Sequence, residues 1–151
     1  MRRFSLLVAL ALMGAACGDD GGGTDRSKGA TSGGEVALVL GYEPDPPVTG
    51  GPVTWALTVS NRGTEAVTLT FPSGKRGDVV LEDDRRQEVY RWSGDRFFTE
   101  AVHREQVPAG GQVVYRLEEP ALSVEPGEYD LVATLAAEPE VGPDRQRLRI
   151  R

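Results

Sequence analysis

Val53, Trp55, Leu57 and Val59 alternate with Thr54, Ala56, Thr58 and Ser60. That period of two puts large apolar side chains on one face of an extended strand and small or hydroxylated ones on the other. A helix would scatter the same residues around its circumference, so the pattern commits the segment to half-buried sheet. Val67, Leu69 and Phe71 repeat it against Ala66, Thr68 and Thr70, and the turn residues Asn61-Arg62-Gly63-Thr64 lie between the two runs. The arrangement predicts a hairpin of these two strands.

Further runs follow at intervals of about 8 to 12 residues, the spacing of sandwiches and barrels. Residues 35–40 are apolar and end at the Pro/Gly-rich loop 43–52; 79–82 and 88–92 flank the polar Asp83-Asp84-Arg85-Arg86-Gln87 turn as a second hairpin. Val113, Tyr115 and Leu117 alternate after a Pro/Gly corner, as do Tyr129, Leu131, Ala133 and Leu135, and Leu148 and Ile150 close the chain as an edge strand hairpinned to the previous one. Residues 97–104 are expected to be extended with a bulge. No segment shows the periodicity of an amphipathic helix. The expectation is an all-β, immunoglobulin-like antiparallel β-sandwich of about seven to nine strands, with Trp55 in its core and Tyr129 as a tyrosine corner.

Residues 1–16 read as a secretory leader: Arg2 and Arg3, an apolar run from Phe4 to Met13, then Gly14, Ala15 and Ala16. The run falls short of the roughly 20 residues that a membrane-spanning helix needs. Cys17, the only cysteine, follows the small residues, and Met13-Gly14-Ala15-Ala16-Cys17 resembles the lipobox of bacterial lipoproteins. The resemblance implies a diacylglyceryl anchor on Cys17 and a place in the bacterial cell envelope, facing outside the cytoplasm. Two acyl chains hold a protein at a membrane where one does not. Residues 17–34 then form a Gly-rich linker, a coil reaching roughly 20 to 25 Å, and 35–151 make the single folded domain.

With 17 basic against 23 acidic residues the formal net charge is -6. Loss of Arg2 and Arg3 with the leader would deepen it, which argues against nucleic acid as a partner. Catalytic chemistry finds little to work with. His103 is the only histidine, so a serine triad has one candidate base and no strained nucleophile elbow around Ser73, Ser93 or Thr99. Zinc lacks a ligand set. Asp78, Glu82, Asp83 and Asp84 are calcium-type ligands without calcium-loop spacing, and Arg85-Arg86 beside them predicts a self-neutralising turn. Ser73-Gly74-Lys75-Arg76-Gly77 lacks the spacing of a phosphate loop. No enzyme activity, metal or cofactor is expected.

The densest remaining signal is the block 71–100, which holds Phe71, Tyr90, Trp92, Phe97 and Phe98 among charges of both signs. The rings read first as core, with Ser93 and Asp95 bonding turn amides. The functional alternative is a contact patch of Trp92, Ser93, Asp95, Arg96 and Phe97, with Lys75 and Arg76 as an exposed basic turn beside it, since Trp, Tyr and Arg dominate interface hot spots.

Several pieces together resemble the BsuPI family of intracellular proteinase inhibitors: Asn61, Phe71-Pro72-Ser73-Gly74-Lys75-Arg76-Gly77-Asp78-Val79-Val80, Glu88-Val89-Tyr90-Arg91-Trp92-Ser93, Phe97-Phe98-Thr99, Val107-Pro108-Ala109-Gly110-Gly111 and Pro126-Gly127-Glu128-Tyr129. The resemblance implies a protein-binding module that inhibits a serine, subtilisin-like proteinase. The alternative is an envelope-associated accessory domain without inhibitory activity.

Overall fold

The computed structural model describes residues 35–151. The leader at 1–16, Cys17 and the linker at 17–34 lie outside the described residues. Among those residues the chain forms β1 (Val36–Glu43), β2 (Val53–Asn61), β3 (Val67–Phe71), β4 (Gly77–Glu82), β5 (Glu88–Arg91), β6 (His103–Val107), β7 (Gln112–Glu119), β8 (Gly127–Leu135) and β9 (Asp144–Ile150). Every strand pairing is antiparallel. One sheet runs β1-β2-β7, a second β5-β4-β8-β9, and β3 and β6 form a separate ribbon. The fold is an all-β sandwich, as the alternating patterns require.

The core is the set of inward faces of these sheets. Along β2 burial alternates without a break, and Trp55, Leu57 and Val59 are fully enclosed. Phe71 and Leu69 enter from β3, Val79 and Leu81 from β4, Leu131 and Ala133 from β8, and Leu148 and Ile150 from β9. Trp55 meets Tyr42 edge-on with ring centroids 6.0 Å apart, and Tyr90 at 6.5 Å. Its Nε1–H lies outside hydrogen-bonding geometry with the Tyr90 hydroxyl and has no partner. Tyr129 behaves as a tyrosine corner, its hydroxyl donating to the Glu125 carbonyl at 2.8 Å.

Two hairpins read from the sequence are present, β4–β5 and β8–β9. The β2–β3 hairpin is not: β2 is paired on one side by β1 and on the other by β7, while β3 pairs with β6. Asn61 explains the departure. Its side chain is buried, donating to the Glu65 carbonyl at 2.7 Å and the Val107 carbonyl at 3.0 Å, and accepting from the Gly63 amide at 2.9 Å. These bonds fold the 61–65 connection back on itself and tie it to the end of β6, so the chain leaves the first sheet instead of doubling back along it. Both sides of β2 are then saturated by strands from elsewhere.

The edges of the sheets meet at a polar seam. Asp144, at the start of β9, is buried and accepts the Leu40 amide of β1 at 2.8 Å, while Gln146 Nε2 donates to the Leu40 carbonyl at 2.9 Å. One carboxylate and one amide thus satisfy both backbone groups of Leu40 as a strand would. The Asp83-Asp84-Arg85-Arg86 turn also differs from expectation. No ion pair joins its acids to its arginines among the described residues; instead Asp83 Oδ1 accepts the Arg85 amide at 2.9 Å and the Gln87 amide at 2.8 Å, and Arg86 takes a φ of 60°. The turn is shaped by carboxylate-to-backbone bonding, not by neutralisation.

Candidate functional site

Asp78 is the second residue of β4 and one of three buried polar or charged residues among the described residues, 3% exposed. Besides the adjacent Val79 amide, four donors from Lys75, Arg91 and Ser93 converge on it. Lys75 Nζ reaches Oδ2 at 2.6 Å, the Ser93 hydroxyl reaches Oδ2 at 2.5 Å, Arg91 Nη1 reaches Oδ2 at 3.1 Å and the Ser93 amide reaches Oδ1 at 3.1 Å. Lys75 also donates to Ser93 Oγ at 3.0 Å. Burial alone would raise the Asp78 carboxyl, but hydrogen bonds from Lys75 and Ser93, the Lys75 charge and the Arg91 bond outweigh it, leaving the group below the ordinary carboxylate range. A carboxylate so placed joins the loop before β4, strand β5 and the turn after it into one body.

Gly77 allows this arrangement. A Cβ there would collide with Leu57 and come within 2.7 Å of the Thr134 carbonyl. Only a residue without a side chain lets β4 start against β8 and deliver Asp78 to its partners.

The turn that follows β5 carries a second cluster. Trp92 Nε1 donates to the Glu118 carbonyl at 3.0 Å. Arg96 lies over the Trp92 ring, 4.6 Å from its centroid, and bonds the Trp92 carbonyl at 2.8 Å, the Glu118 carbonyl at 2.9 Å and Glu119 Oε2 at 3.1 Å. Tyr90 donates its hydroxyl to the same Glu119 oxygen at 2.9 Å, and burial, the bond to Glu119 and its charge raise the phenol well above its usual range. Phe98 packs against Trp92 in a tilted arrangement, with centroids 5.8 Å apart. The Thr99 carbonyl accepts the Gly74 amide at 2.8 Å. The corner from Tyr90 to Thr99 is therefore held at many points to β7 and to the loop before β4.

Between these anchors Phe97 is 103% exposed, fully in solvent. Residues 97–102 form no regular structure, and β6 begins only at His103, so the expected extended strand with a bulge starts later than the sequence suggested. Val102, at 61%, is the next most exposed large hydrophobic among the described residues.

The sequence-derived site residues fall into two groups. Trp92, Ser93, Asp95, Arg96 and Phe97 do cluster on one corner. Lys75 and Arg76 are not the exposed basic turn expected, since both are half-buried and paired. Lys75 serves Asp78, and Arg76 bonds Glu105 at 2.9 Å while lying 4.7 Å from the Phe71 centroid. Glu105 in turn accepts the Tyr115 hydroxyl at 2.8 Å. Asp78, Glu118 and Glu119 were missed as organisers. For Asp78 a signal existed: a carboxylate set between Gly77 and the apolar Val79-Val80-Leu81 must enter a buried strand and so requires cations. The Glu118 carbonyl has no counterpart in side-chain pattern. His103 sits on β6 in register with Phe71. A groove of about 490 Å³ beside β5, lined by residues including Tyr90, Arg91, Asp95 and Glu119, runs along the same corner.

The family model for BsuPI, described as intracellular proteinase inhibitor, matches residues 41–140, from the end of β1 through β8. No curated protein matches the chain. Among solved structures, the sporulation control protein Spo0M from Bacillus subtilis is similar at 16% identity and a TM-score of 0.49, over 78% of this chain and 50% of that one. The alkylpurine DNA glycosylase AlkC of Pseudomonas fluorescens is similar at 15% identity and a TM-score of 0.46, over 82% of this chain and 32% of that one. The CARDB domain of a Pyrococcus furiosus protein in complex with di-metal ions follows at 13% identity and a TM-score of 0.43, over 77% and 87%. The chain thus spans half or less of the length of the first two.

The Asp78 cluster makes stability depend on acid. Because the folded carboxyl lies below its unfolded value of about 4, its contribution is present above that value and disappears as pH falls through the folded value. Asp78→Asn should cost about 2 kcal/mol near neutrality, a figure discounted because Lys75 and Arg91 are partly exposed. Urea unfolding midpoints at neutral pH and near pH 3 check this: the gap between parent and variant should shrink in acid, and an equal gap at both would contradict it.

Proposed function

The chain belongs to the BsuPI family of intracellular proteinase inhibitor domains, and from that premise we propose that it is a protein-binding module that inhibits a serine proteinase from outside the cytoplasm, anchored to the membrane through Cys17. The family match over 41–140 is the observation that carries the reading. The family is one of inhibitors, not enzymes, and this chain offers a scaffold suited to that work. A rigid inhibitor loses little conformational freedom on binding, so most of its contact energy appears as affinity. The corner at 90–99 has such rigidity, with Arg96 bonded to three acceptors and Trp92 in contact with both Arg96 and Phe98.

The proposed compartment rests on the leader-like sequence. The family is named for an intracellular inhibitor, but an inhibitor meets only proteases on its own side of a membrane. Residues 1–16 and the lipobox-like Met13-Gly14-Ala15-Ala16-Cys17 argue for export and for two acyl chains at Cys17. The formal charge of -6 favours a partner with a basic or neutral contact surface.

Two measurements test the two halves. The purified full chain, titrated against subtilisin-like, chymotrypsin-like and trypsin-like proteases, should inhibit at least one of the first two stoichiometrically at micromolar concentration; no inhibition of any would contradict the inhibitory half. Cys17→Ser should abolish acyl labelling in cells and release the chain from the membrane fraction, and labelling that persists would contradict the anchor.

A further inference from the structure

We propose that Phe97 is the primary specificity residue of a protease-directed loop, with the Phe97–Phe98 peptide bond presented to the enzyme. The target is a serine protease whose primary pocket is deep and apolar. This rests on the inhibitory reading above and adds the site to it.

A residue that fills a protease pocket must project freely, while its neighbours must stay fixed. Phe97 meets the first condition as the most exposed large hydrophobic among the described residues. Its neighbours meet the second. Arg96, before it, is clamped to the Trp92 and Glu118 carbonyls and to Glu119. Phe98, after it, rests on Trp92, and Thr99 is bonded to Gly74. Among the described residues the Phe97 and Phe98 amides and carbonyls make no backbone hydrogen bond. They are free to pair with an enzyme's substrate-binding strand, as an extended peptide pairs with an exposed edge.

The competing residues on this face are committed elsewhere. Lys75 and Arg91 serve Asp78, Arg76 serves Glu105, and Arg96 is the clamp. An acidic pocket seeking a cation therefore finds these four already paired, whereas an apolar pocket finds an uncommitted aromatic ring. Full burial of that ring would remove a large apolar surface from water.

The same anchoring accounts for inhibition without rapid digestion. The protease serine attacks the Phe97 carbonyl carbon, the amide bond breaks and its nitrogen leaves with a proton as the Phe98 amine. Water then hydrolyses the acyl-enzyme to free the Phe97 carboxylate. Because Phe98 and Thr99 remain fixed to Trp92 and Gly74, the new amine stays beside the acyl group instead of diffusing away. Religation then competes with hydrolysis, as expected when two reacting groups are held together.

Full-length parent, Phe97→Asp and Phe97→Lys chains, assayed against a protease with an apolar pocket and against trypsin, test the placement. Phe97→Asp should weaken inhibition of the former about 100-fold or more, as removal of a hot spot does. Phe97→Lys should lose it similarly and gain inhibition of trypsin, because the lysine then meets an acidic pocket. Melting midpoints should match the parent in both, since the ring packs against nothing. If the parent inhibits and Phe97→Asp inhibits within about threefold of it, the site is elsewhere and the inhibitory reading survives. A parent that inhibits no protease overturns both. Loss of the folded transition in the variants would also overturn the placement, since it would mean that Phe97 is packed.

Discussion

The Asp78 carboxylate is the constraint on which the corner from Tyr90 to Thr99 depends. It is buried at the start of a central strand, where an unpaired charge would be very costly, so the chain must bring cations and donors to it. Lys75 arrives from one loop, Arg91 from the neighbouring strand, and Ser93 contributes both hydroxyl and amide from the following turn. Satisfying one carboxylate therefore fixes the relative positions of three segments. The Trp92 indole and the Arg96 guanidinium extend the same body to β7 through the Glu118 carbonyl and Glu119.

Rigidity and freedom are divided sharply along the chain. Up to Arg96 nearly every polar group of the corner has a partner, and from Thr99 the loop is again tied down at Gly74. Between them stands a ring that touches solvent alone. The sandwich supplies the stable base: its core is continuous across the sheets, and the seam made by Asp144 and Gln146 with Leu40 closes two strand edges that would otherwise be open to pairing with other chains.

Most of the fold was legible because burial alternates with the period of a strand. Trp55, Leu57 and Val59 face inward as the pattern demands, and Tyr129 closes its corner as the Pro126-Gly127 turn before it suggested. The β2–β3 connection was not legible, since a polar side chain, Asn61, decides it through bonds to residues 4 and 46 positions away. Charge signs in the local sequence also misled. Asp83 beside Arg85-Arg86 suggests neutralisation, but its carboxylate is closer to the amides of its own turn. Lys75 and Arg76 looked like a solvated basic pair because burial of Asp78, only three residues on, and the approach of Glu105 through the β3–β6 pairing are decided by the sheets. Of the site itself, the sequence marked Trp92 to Phe97 as a cluster, but could not separate the packed members from the free one.

In the proposed complex Phe97 is presented to a protease by a scaffold that holds the residues on either side of it. Mass-spectrometric mapping of the chain after prolonged incubation with an inhibited protease tests it most directly. The account predicts a single slow cut between Phe97 and Phe98, with intact and cut forms both still inhibitory. Inhibition accompanied by a cut at another bond, or rapid digestion beginning within 97–102, would contradict it.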